Sequence, residues 1–204
     1  MNDPFTDDEL YHLTVLPSLV GSVISFSDSS GPVGTAKEML ANAKSAAAGL
    51  TDYPENRILQ AVIPQYEDRK EALAAAKSLR DRQIKEVKKA ELNSKADMKA
   101  YAMSQVAYVN DVLKAKADEQ ESAEYRAWVM AAAQATAEAA KEGGFLGIGG
   151  TEVSDDEQAA LTEIATALGV TDQTRWSPVA RPGLLRPPTA DHVRDRHDRD
   201  NEPS

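Results

Sequence analysis

A chain of 204 residues has room for one domain and a tail, and a hydrophobic content of 42% is ordinary for a globular core. The formal net charge of −10, from 33 acidic and 23 basic side chains, argues against general binding to nucleic acid or to anionic membrane surfaces, both of which need phosphate neutralised. The lack of cysteine excludes disulfides, thiolate metal sites and a cysteine nucleophile, and it fits a reducing cytoplasm, the expected location.

The aromatic share is only 5%, while alanine recurs in runs such as Ala74–Ala76 and Ala131–Ala133. Alanine favours helices and lets them approach closely, so the expected fold class is all-α, a bundle of five to seven helices over residues 1–170. The acidic opening, Asp3 to Glu9, lacks the basic segment and apolar run of a secretory signal. A first helix starts near Asp7 behind the capping box Thr6–Glu9, with Leu10, Leu13, Leu16, Val20 and Val23 on one face. Pro17 is expected to kink or split it. The apolar stretch Leu13–Ile24 is interrupted by Pro17, Ser18, Gly21 and Ser22, short of the roughly 20 residues that span a bilayer, so no stable membrane insertion is expected.

After a loop of turn formers from Asp28 to Gly34, a second capping box, Thr35–Glu38, predicts a helix to about Ala48, with Gly49 as its stop. Ile58, Val62 and Tyr66 share one face of the next element, which Pro64 is expected to bend. Residues 65–92 are dense in helix formers, and Asn93-Ser94 is the natural break after them. The following helix places Met98, Tyr101, Gln105, Tyr108, Val109 and Val112 on one side, flanked by Val106 and Leu113, a band wide enough for a central position. Ser122 to Glu142 forms another helix with Tyr125, Trp128, Val129, Ala132, Ala135 and Ala139 inward, ended by Gly143-Gly144. A third box, Ser154–Glu157, opens the last helix, which carries Leu161, Ile164, Ala165 and Leu168 and closes at Gly169. Half of the ten prolines lie beyond Thr171, where Arg and Asp alternate without apolar periodicity, so residues 171–204 are expected to form a disordered tail.

Three groups of residues invite a functional reading. The segment Gly143 to Gly150 is not a phosphate loop, since it has no lysine and follows a helix; Phe145, Leu146 and Ile148 either plug the bundle end or meet a protein partner. Asp7 and Asp8, with Asp155 and Asp156, supply hard oxygen ligands of the kind Ca2+ or Mg2+ takes, although acids in a first helical turn also complement the helix dipole. The loop from Asp28 to Glu38 departs from a calcium loop at Ser30, Pro32 and Val33. His12, His192 and His197 are the only histidines and form no ligand pair, and no nucleophile elbow exists, so no catalytic residue and no obligatory cofactor is assigned. The mixed charges from Arg80 to Glu91 read as a solvated face with i, i+4 pairs.

The run Lys141 to Gly150, continuing through Val153-Ser154 and Glu157 to Leu168-Gly169, resembles a family of small all-helical bacterial proteins marked by a GGFLGxGG…VSxxE pattern. Ser30 to Glu38 and Tyr125-Arg126-Ala127-Trp128 fit the same family, so the resemblance spans most of residues 5–169. It implies a helical fold and no particular activity. Val153 to Gly169 is also similar to a repeated element of TerB-like tellurite-resistance proteins, which are all-helical and linked to metal ions and stress responses. The acidic loop that precedes that element in TerB-like proteins is replaced here by Gly149-Gly150-Thr151-Glu152. The expectation is therefore a non-enzymatic accessory protein, stress-related through that similarity, that binds another protein and not nucleic acid, with a second copy of itself as one open choice. The alternative is a divalent-cation-binding helical protein.

Overall fold

A proline at the centre of a helix leaves one carbonyl without its helical donor, and here the fold supplies another. In the computed structural model, which describes residues 4–27, 31–63, 65–141 and 153–170, α1 runs without a break from Asp7 to Ser27 through Pro17. The ring removes one amide donor, leaving the carbonyl of Leu13 four residues back without its helical partner. The Tyr125 hydroxyl donates to that carbonyl at 2.7 Å. The carbonyl of Pro17 itself accepts from Asn42 Nδ2 at 3.0 Å. The Tyr125 hydroxyl thus takes over where the expected kink or split would have begun.

The other segments follow: α2 (Gly31–Ala47), α3 (Gly49–Asp52), α4 (Arg57–Val62), α5 (Arg69–Lys89), α6 (Lys95–Lys116), α7 (Glu119–Lys141) and α8 (Asp155–Leu168). All secondary structure among the described residues is helical, and six of these segments have 14 residues or more. The expected all-α bundle is the observed one. Residues 171–204, expected as a tail, lie outside the described residues.

The central helix is α1, not α6. It touches α2, α4, α6, α7 and α8, and Leu13, Leu16, Val20 and Ile24 are fully buried. By length and composition α1 could cross a membrane, contrary to the shorter apolar stretch read from sequence; here its apolar surface is covered by the surrounding helices. Each fully buried Leu or Ile contributes roughly 1.5–3 kcal/mol, so this sheath accounts for much of the stability. From α6 come Ala102, Val106, Val109, Val112 and Leu113, so the expected Val109 and Val112 and the flanking Val106 and Leu113 face inward, while Tyr108 sits at the surface and Ala102 takes a core place not expected. From α7 come Tyr125, Trp128, Val129, Met130, Ala133 and Ala137, and from α8 Leu161, Ile164 and Leu168.

Caps explain most of the ends. Thr6–Glu9 and Ser154–Glu157 form both halves of their boxes, and Gly169 takes φ +75° at the end of α8, where only glycine is unstrained. Ser94 caps α6, and Asn56 caps α4. The box expected at Thr35–Glu38 does not form. Helix α2 starts at Gly31, so Thr35 lies inside it, and Glu38 points into the bundle instead. Helix α4 ends at Val62 and α5 begins at Arg69, and Pro64, the expected bend, lies outside the described residues. Gly49 does not stop α2 by a left-handed turn. It opens α3, and a Cβ there would stand 2.5 Å from Trp128 Nε1, so a bare backbone is what lets the indole approach.

Candidate functional site

Two helices present side chains that the bundle does not use. The first is α2, whose inner side is fixed by polar contacts. Asn42 Nδ2 donates to the carbonyls of Pro17 and Ala132 and lies 3.1 Å from Thr136 Oγ1. One turn earlier, the buried Glu38 accepts from the Ser25 hydroxyl, while its other oxygen has no hydrogen-bond partner among the described residues. One turn later, Trp128 Nε1 donates to Ala46 O at 2.8 Å, satisfying a carbonyl in the last turn of α2. With 38, 42 and 46 facing inward, the opposite side is set. Ala36, Leu40, Ala43 and Ala47 follow one another at spacings of four, three and four, and all are exposed. Met39 and Leu40 are 60% and 57% exposed, and the outward charges, Lys37 and Lys44, are both basic.

The second is α5. Over 21 residues it contains no buried side chain. Ala72, Ala75, Leu79, Gln83 and Val87 are half-buried on the side nearest the bundle, while Leu73 and Ile84 are 62% and 44% exposed. Its tethers to α1 are polar. Arg82 donates to Asp8 at 2.6 Å and lies 3.7 Å over the Tyr11 ring, and Gln83 Nε2 donates to the Ser18 hydroxyl at 3.0 Å. The i, i+4 ion pairs expected along this helix do not form: the short contacts are Arg82–Asp8 and the adjacent Arg80–Asp81 at 4.0 Å. Lys70, Lys77, Lys85, Lys88 and Lys89 have no carboxylate within ion-pair distance among the described residues. An open groove of about 520 Å³ on the middle of this helix is lined by Ala74, Lys77, Ser78, Asp81, Arg82 and Lys85, three cations and one acid.

The acids read as metal ligands are placed apart. Asp8 is engaged with Arg82 and lies 3.6 Å from His12, whose ring packs edge-on against Tyr11 and Tyr108. Asp7 is exposed beside it. Glu9 accepts from Lys116 at 2.5 Å, and that contact, with the Thr6 amide, lowers its carboxyl below the ordinary range. Asp155 and Asp156 are exposed in the first turn of α8. Helix α6 runs antiparallel to α1, as Lys116–Glu9 and Tyr108–His12 show, and α8 follows the sense of α6, as Lys99–Glu163 and Asn110–Ala167 show. The two acidic turns therefore lie at opposite ends of α1. Among the described residues no group of three or more His, Asp or Glu side chains could hold a metal ion. Phe145, Leu146 and Ile148 lie outside the described residues.

Sequence reasoning read the charged part of α5 as solvated but paired, and it missed the exposed face of α2, although each left a signal. On α2 the heptad-like series Ala36, Leu40, Ala43, Ala47 is out of phase with Glu38 and Asn42, and only the partners of those two reveal which side is inside. On α5 the signal was arithmetic: eight basic residues against three acidic ones. Comparison with known proteins returns no matching protein family, no similar curated protein and no similar solved structure.

Proposed function

We propose that this protein is a non-enzymatic helical accessory protein that works by binding another protein through helices on the outside of a self-sufficient bundle. The observation that carries the reading is α5, a long helix whose side chains the bundle leaves unburied and whose tethers are polar. Helices in globular proteins owe most of their stability to an apolar face buried by tertiary packing. A 21-residue helix held on the surface with Leu73 and Ile84 outward has apolar area to offer a partner. The outer face of α2, with Met39 and Leu40, adds a second area of the same kind.

The test is site-specific photo-crosslinking in cells. A photoreactive residue at Leu73 or Leu40 is expected to yield one discrete protein adduct, and the same residue at exposed Gln158 on α8 none. Adducts of equal pattern from all three positions would remove the basis for the proposal.

A further inference from the structure

We infer that α5 is a docking strip for an acidic amphipathic helix of a partner protein. This rests on the interaction reading above and names the chemistry of what binds. Within α5 eight basic residues face three acidic ones, a net +5 in a chain of net −10, so the remaining residues together carry −15. No other described helix carries so large a positive excess: the next, α6, has four lysines against two aspartates.

Its layout is linear. Lys70, Leu73, Lys77, Arg80, Ile84 and Lys88 fall on one stripe at helical spacing, and all six are exposed. From Lys70 to Lys88 the stripe extends about 27 Å at helical rise. Leu73 and Ile84 stand about three turns apart on it, between the cations. Beside the stripe, Ala74 and Ser78 keep the groove floor low, which lets a second helix approach closely. Cations spread along a helix with apolar anchors among them complement a helix that carries Leu or Ile on one face and Glu or Asp beside it.

Two other polyanions fit less well. A lipid surface calls for a contiguous apolar face, whereas Leu79 and Val87 lean toward the bundle and leave only two separated apolar side chains outward. A bilayer is also far wider than α5 and would meet the acidic remainder of the molecule. A nucleic-acid backbone supplies phosphates along its length and offers nothing comparable for Leu73 and Ile84. A single acidic helix has the width of α5 and escapes both objections.

The experiment uses the full chain and a fluorescently labelled synthetic peptide of α5's own length, with leucines on one helical face and glutamates beside them. Fluorescence anisotropy is expected to show saturable binding that weakens with salt. A control peptide of the same composition, permuted to remove the apolar face, is expected to bind about tenfold more weakly or worse. Combining Lys77→Glu, Arg80→Glu and Lys88→Glu, or Leu73→Ser with Ile84→Ser, is expected to weaken binding by about tenfold or more. Because these side chains are exposed, circular dichroism should remain that of the wild type, and Met39→Ser with Leu40→Ser on α2 should leave affinity unchanged. Equal binding of the permuted peptide, or indifference to the α5 substitutions, would overturn the assignment. So would tighter α5-dependent binding to phosphatidylserine vesicles or to a single-stranded oligonucleotide. Failure of the peptide to bind while Leu73 still crosslinks a protein in cells would overturn the acidic-helix assignment and leave the broader proposal standing.

Discussion

Asn42 does more than fill space between α1, α2 and α7. Its amide donates to main-chain carbonyls on two different helices, Pro17 on α1 and Ala132 on α7, and so ties α2 to both. Asn42→Ala removes buried hydrogen bonds to Pro17 O, Ala132 O and Thr136 Oγ1, each worth about 0.5–1.5 kcal/mol net, and opens a small cavity. The expected loss is therefore about 2–4 kcal/mol in a denaturant titration, with Tyr125→Phe smaller because it abandons only the Leu13 carbonyl. Gly21→Ala should be costly for the same reason, since its Cβ would stand 2.3 Å from Asn42 Nδ2. Neutral behaviour of Tyr125→Phe would mean that α1 tolerates Pro17 without help, and neutral behaviour of the other two that Asn42 does not hold α2 in place. Glu9 and Glu121, together with Asp97 at the start of α6, contribute to the acid limb of stability. Hydrogen bonding from Arg57 lowers Glu121, and hydrogen bonding from Lys116 lowers Glu9, each from an ordinary value of 4.5. A depressed folded-state pKa contributes stability that is present above the unfolded value and lost as pH falls through the folded one. Thermal melts should accordingly show stability declining from about pH 5 downward, and Glu121→Gln should flatten that decline.

At the level of elements, the sequence was most legible where a local rule acts alone. The boxes at Thr6 and Ser154, the cap at Ser94 and the glycine stop at Gly169 depend only on neighbouring backbone, and all form. Thr35–Glu38 has the same spelling and fails, because α2 continues upstream to Gly31 and Glu38 is taken by Ser25. No local rule reveals that competition. The exposure of Tyr108 on α6 and the donor that Tyr125 brings to Leu13 behind Pro17 were likewise invisible, since both depend on residues far away in sequence. The candidate site was the least legible part. Alternating charges on α5 look like a self-paired solvated surface, and only the structure shows its lysines without acidic partners among the described residues. The tether between α5 and α1 is also weak by kind, because exposed ion pairs contribute about 0–1 kcal/mol. Asp8→Asn is thus expected to change global stability by less than about 1 kcal/mol while raising exchange of α5 amides, a separation that hydrogen exchange with a parallel melt would expose.

For the whole molecule the division is between a bundle and what it carries. Helices α1, α2, α4, α6, α7 and α8 share the buried residues, with α1 in the centre. Helix α5 shares none of them and concentrates positive charge on an otherwise acidic protein. If that division is real, the bundle and α5 should open independently, because local stability follows buried apolar contact. The most direct measurement is amide hydrogen exchange across the free full-length protein, followed by the same measurement with the acidic amphipathic peptide. The account predicts fast exchange throughout α5 against slow exchange in α1 and α7, and protection of α5 alone when the peptide is added. Protection of α5 equal to that of α7 in the free protein would make it an integral part of the core and contradict the account.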